Sequence, residues 1–244
     1  MYSVYASLGA AAAASLAAWQ LSHRWWVALI AGLVATVAVF GGISYWVRQQ
    51  LNQRMPPIEQ AVQGQRVEQA LKLLEGLRVL GRWQLGLNAV VDGQIGVITY
   101  ATKMDFDHAQ PYLERAVVKN WHAKAMLAAL HYKARRFDDA NRVFEEAVRF
   151  NKKEAMLWAA YAWCESRRQN RAKAIEILQR ALKALPNNAD LKDNLSSLQQ
   201  DKKLKMNAYT PEWWALHLER PPAKVLMADQ RQQLRVRQMR RMRS

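Results

Sequence analysis

A single cysteine, Cys164, leaves no partner for an internal disulfide and no thiolate set for a multi-cysteine zinc site. That usage agrees with a reducing compartment. The sequence also lacks a phosphate-cradling glycine loop, an HExxH pair and a nucleophile with a matching base. It therefore supplies no catalytic constellation and implies no cofactor. Asp105, Asp107 and His108 form the one compact group of candidate metal ligands, but they sit in a turn before a helix, where polar residues are ordinary. His122 and His131 do not share a helix face. Acid is missing altogether from residues 1–47, where Arg24 is the sole Lys or Arg.

The charge lies elsewhere. Residues 48–200 hold 24 basic and 16 acidic side chains, and residues 201–244 hold 11 and 4, so the net +16 falls almost wholly after residue 47. Such a surface attracts anionic lipid head groups, RNA or acidic protein faces. With 51% hydrophobic and 23% charged residues, the chain has the composition of a folded protein.

Residues 25–47, WWVALIAGLVATVAVFGGISYWV, are uncharged and mostly apolar, and roughly 20 residues at 1.5 Å rise span a hydrocarbon core. Trp25 and Trp26 at one end and Tyr45 and Trp46 at the other match interfacial aromatic belts. Residues 2–21 are alanine-rich and insert weakly alone; beside a strong span they read as the first arm of a hairpin turning near Ser22–Arg24. Gly9, Ala10 to Ala14 and Ser15 would let the arms approach closely. Two spans are preferred over one, and over a cleaved signal peptide, because no positive n-region precedes them. Arg48, Arg54 and Arg66 follow the second span, so the positive-inside rule places the C-terminal part on the cytoplasmic side of an inner membrane. Residues 48–57, ending in Met55-Pro56-Pro57, read as a linker.

Beyond it the pattern is helical. Ala140, Phe144 and Ala147 recur as Ala174, Leu178 and Ala181, with Trp158, Tyr161 and Ala162 between them and Pro186 closing the second unit. This 34-residue pattern resembles the tetratricopeptide repeat, most clearly over 121–154 and 155–188. Ala109, Leu113 and Ala116 mark a third unit over 90–120, and Ala70, Leu74 and Leu77 a truncated one over 58–81. Leu191, Leu195 and Leu198 fit a capping helix. Asp92-Gly93 between apolar runs is also a hairpin signal, so residues 88–98 are open between helix and hairpin, with helix preferred. The expected fold is all-α: a transmembrane helix or hairpin (1–47), a repeat-like solenoid (58–200) and a basic, helical C-terminal extension (201–244).

The resemblance implies a concave face built from first-helix residues: His122, Met126, Ala129, Tyr132 and Lys133, then Met156, Ala159, Ala160, Trp163 and Arg167. An aromatic and methionine groove edged by Lys133 and Arg167 suits an apolar peptide or helix with an acidic end. Trp163 and Tyr132 are alternatively core, or covered by the tail. In that tail, Thr210-Pro211-Glu212 reads as the start of a short helix carrying Trp213 and Trp214, ended by Pro221-Pro222. Arg231, Arg235, Arg237, Arg240, Arg241 and Arg243 follow, to lie on an anionic leaflet, to bind RNA, or to remain solvated. The expected function is a non-enzymatic scaffold for a protein partner in a membrane complex. The alternative is a membrane-tethered RNA- or ribosome-associated protein acting through the arginines.

Overall fold

The computed structural model describes residues 2–22, 24–84 and 86–222; the Arg231–Arg243 cluster lies outside them. Among the described residues all regular structure is helical, with no strand. The chain divides into two compact units, Met1–Ala123 and Lys124–Ser244.

The first unit opens with α1 (Tyr2–Ser22) and α2 (Trp25–Gln63). These two helices pair through small residues: the Ser15 hydroxyl donates to the Ala28 carbonyl at 3.0 Å. A Cβ added at Gly32 would collide with that hydroxyl and reach Ala11 O at 3.3 Å. Gly9 takes no part, since nothing lies within 4 Å of its Cβ position. The pattern of exposure is inverted relative to a water-facing hairpin. Ser3 and Ser7 are buried, while Tyr5, Leu8, Leu16 and Trp19 on α1 and Leu29, Leu33, Val34 and Val37 on α2 are exposed. Of the helices in the described residues, only α2 is long and apolar enough to cross a membrane by length and composition.

The linker expected at 48–57 is replaced by helix. At 39 residues, α2 runs unbroken through Pro56 and Pro57 to Gln63. Its length of about 58 Å exceeds a hydrocarbon core of about 30 Å, so its second half must find other surroundings. It finds a core: Val47 and Ile58 are buried with Leu74, Leu77, Leu80, Leu87, Val91 and Ile95, and Ile43 and Leu51 pack against the same cluster. Those partners come from α3 (Val67–Gly76), a 3-10 turn (Leu77–Arg82) and α4 (Leu87–Ile98). Residues 88–98, open between two readings in the sequence, are thus helical. A π turn (Thr99–Lys103) leads to α5 (Phe106–Arg115), which Asp105 caps by accepting from the His108 amide at 3.1 Å. The buried Asp92 carboxylate joins three elements, accepting from Arg78 at 2.5 Å and Arg115 at 3.1 Å.

In the chain beyond, α6 (Trp121–Lys133), α7 (Phe137–Phe150), α8 (Ala155–Arg167), α9 (Arg171–Ala184) and α10 (Ala189–Gln199) follow one another across short turns. The residues of the sequence ridge, Ala140, Phe144, Ala147, Ala174, Leu178 and Ala181, are all buried. Phe144 stacks on Tyr161 with ring centroids 5.0 Å apart. Glu145 ties three helices together: it accepts from Tyr161 at 3.1 Å and from both Arg180 amines at 2.8 and 2.7 Å. Past α10, a 3-10 turn (Asn207–Tyr209) and the one-turn helix α11 (Glu212–Ala215) complete the described chain.

Candidate functional site

The first-helix residues expected to line a groove separate into two groups. Met126, Ala129, Met156, Ala159 and Ala160 are buried and serve as packing. Their small and flexible side chains let helices of the second unit approach closely, which consumes the surface a ligand would need. Lys133 and Arg167 are exposed and Tyr132 is half-buried. His122, in the first unit, is exposed and stacks on Trp121 with centroids 3.6 Å apart.

The surface around Trp163 is filled by the chain's own C-terminal segment. Asn194 on α10 pins that segment by accepting from the Lys205 amide at 2.7 Å. Met206, Tyr209, Trp213 and Leu216 are then buried in turn. Trp213 is fully buried and meets Trp163 edge-on, with centroids 5.1 Å apart. Its indole N–H donates to Glu219 at 3.3 Å, and Glu219 pairs with Arg167 at 2.5 Å. The Arg167 guanidinium also lies 5.0 Å from the Trp163 ring centroid. An aromatic anchor followed by an acid thus occupies the groove in cis. Those are the features the sequence suggested for a foreign peptide, and Trp163 is covered by the tail residue Trp213, while Tyr132 packs on Phe137 and Trp163.

Local structure differs from the sequence expectation in two respects: α11 ends at Ala215 after a single turn, well before Pro221-Pro222, and its start is capped differently. The Thr210 hydroxyl donates back to Asn207 O at 3.2 Å instead of capping α11, whose N-cap position is Pro211. The rest of the site follows from burial. Tyr132 lies 6.0 Å from Trp163 and 5.6 Å from Phe137, ring to ring. Burial, then the neighbouring Cys164, pushes its phenol above the usual value, while Arg167 and Arg168 pull the other way. Burial, then the adjacent Glu165, pushes the Cys164 thiol well up, against the pull of Arg168. Partial burial lowers the Lys133 ammonium.

Sequence reasoning missed a second feature of this unit. Between the C-terminal ends of α7 and α9 lies an open depression of about 800 Å³, with Trp158 on its wall. Phe150, Arg149, Lys152 and Lys183 line it and are exposed. The signal was present in the sequence as Arg149-Phe150 ending a ridge helix and Lys152-Lys153 just after it. The repeat pattern drew attention to first-helix positions instead.

Among the described residues no group of three or more His, Cys, Asp or Glu is placed to hold a metal ion. Asp105 is occupied as a helix cap and His108 packs against Tyr112 at 5.6 Å. Comparison with protein-family models, curated proteins and solved structures finds no match to this chain.

Proposed function

We propose that this chain is a membrane-anchored helical scaffold. Its repeat-like helices, similar in pattern to tetratricopeptide repeats, hold a protein partner at the cytoplasmic face of an inner membrane. The observation that carries the reading is the inside-out hairpin. In water, burying Ser3 and Ser7 while exposing Leu29, Leu33, Val34 and Val37 would forfeit the hydrophobic effect. In hydrocarbon the same arrangement is favourable: serine hydroxyls are satisfied between helices, small residues permit close approach, and the large apolar side chains face lipid. The Ser7 hydroxyl is satisfied within α1, donating to Val4 O at 2.9 Å, whereas Ser15 donates across to α2 at Ala28 O.

The scaffold half of the reading draws support from the helical arrangement and from the lack of any catalytic grouping in the sequence. A continuous α2 shares its core with α3 and α4, so a partner held by this part of the chain would be held at a fixed distance from lipid. The arginines after α2 favour the cytoplasmic orientation. The test is affinity capture of the detergent-solubilised chain with mass spectrometry, beside alkaline extraction of membranes. Retention in the membrane pellet after carbonate, with a stoichiometric protein partner, is the expected result. Release by carbonate sinks the anchor; recovery of RNA or ribosomes that Arg231–Arg243 substitutions abolish would replace the scaffold with the nucleic-acid alternative.

A further inference from the structure

The groove around Trp163 is already filled by Trp213 and Glu219, so an incoming protein must use other surface of the second unit. The depression beside Trp158 is open and has the volume of a typical ligand site. We propose that it is the docking site for an acidic peptide segment carrying one large apolar side chain; this rests on the scaffold reading and names its partner's chemistry.

The apolar half of the argument is Phe150. It is 56% exposed at the end of α7, and Trp158 beside it is almost wholly buried. The Trp158 indole N–H is satisfied by Lys152 O at 3.1 Å, so the wall asks for no further polar contact. A single inserted aliphatic or aromatic side chain would cover Phe150, and aromatic anchors of this kind supply most of the energy at small interfaces.

The charged half is the state of the cations. Arg180 is neutralised by its bidentate pair with Glu145. Arg149, Lys152 and Lys183 have no ion pair among the described residues, and Arg149 only borders the Phe150 ring at 6.0 Å. The C-termini of α7 and α9 contribute about half a negative charge each, and Glu146 one more. Three unpaired cations exceed that total, so the rim stays positive and favours carboxylates. A nucleic acid fits less well. Glu146 lies on the lining, and phosphate tracking wants an uninterrupted basic path.

The experiment uses the full chain in detergent, titrated into labelled short acidic peptides, each carrying one Leu, Phe or Trp. A single-stranded RNA and vesicles containing an anionic phospholipid run as separate arms. We expect saturable peptide binding that weakens about tenfold with Lys183→Glu, the scale of one charge-assisted hydrogen bond. Phe150→Ala should weaken it comparably, while Lys192→Glu, at an exposed position of α10 outside the depression's lining, should not. Both pocket positions are exposed, and unchanged thermal melts verify that the variants fold. Absence of binding by every peptide, or binding indifferent to Lys183→Glu, overturns the proposal. So does a response to Lys183→Glu confined to the RNA or vesicle arm. If a protein partner is captured whose binding ignores both pocket substitutions, the scaffold reading stands and this site falls; if none is captured and no peptide binds, both fall.

Discussion

At the scale of residues, the second unit is organised by a few buried or half-buried polar side chains set among apolar ones. Glu145 is the clearest. The Arg180 hydrogen bonds hold its carboxyl below the ordinary carboxylate value, and the Arg180 charge and Tyr161 hydroxyl add to the effect against the opposing influence of burial. A depressed folded value means stabilisation that is complete above the ordinary carboxylate value and disappears as pH falls through the folded one. Glu145→Gln should therefore lower thermal stability at neutral pH by about 1 kcal/mol, a screened figure because both side chains are partly exposed. The deficit should shrink toward zero in acid. Melts of the variant and wild type across pH provide the measurement, and a deficit constant with pH would count against the ion pair. Glu165, fully buried, plays a related part by accepting from Arg168 at 2.8 Å and Asn170 at 2.9 Å, which closes the turn between α8 and α9.

Among elements, α4 and α5 show why two glycines sit in an apolar helix. A Cβ at Gly96 would lie 2.8 Å from Leu113 Cδ2 and 3.0 Å from the Leu113 amide nitrogen, so the backbone of α5 would have to move. A Cβ at Gly93 would meet Asn120 Nδ2 at 2.7 Å and Ala116 Cβ at 3.2 Å. Gly96→Ala should then destabilise the first unit by about 1–3 kcal/mol, as overpacking does. By contrast Gly76, near the end of α3 with nothing within 4 Å of its Cβ position, should accept alanine with a gain of up to ~1 kcal/mol. Chemical denaturation of the two variants reads both signs in one comparison; equal effects would contradict the packing account.

For the whole molecule, the main consequence is that the apolar helix and the first helical unit are one structure. Val47 is fully buried and Ile43 packs beside it in the core that α3 and α4 complete. A chain started at residue 48, the obvious cut from hydropathy, would strip both from that core. Limited proteolysis of that truncation should show rapid cleavage within 58–115, while residues 137–199 stay resistant. A chain started ahead of Ile43 should be protected in both. If the two truncations are digested alike, α2 is dispensable to the unit and the shared core has no energetic weight.

The sequence by itself determined the helical class, because its apolar residues recur at helical spacing and alanine ridges leave few alternatives. It also marked residues 25–47 as one uncharged apolar stretch, which is a property of composition. Three matters were left to tertiary structure. Met55-Pro56-Pro57 reads locally as a break, yet α2 continues through it; the gain from burying Val47 and Ile58 on either side offsets the hydrogen bonds lost at proline. Asp92-Gly93 reads also as a hairpin turn, although helix is the preferred reading, and the helix is held by Arg78 and Arg115 converging on the carboxylate and by the close approach of Ala116 and Asn120 to the glycine. Finally, Trp213 and Glu219 lie some fifty residues along the chain from Trp163 and Arg167. No local pattern connects them: that groove closes only when Asn194 turns the chain back, and burial of an indole stabilises the closed form.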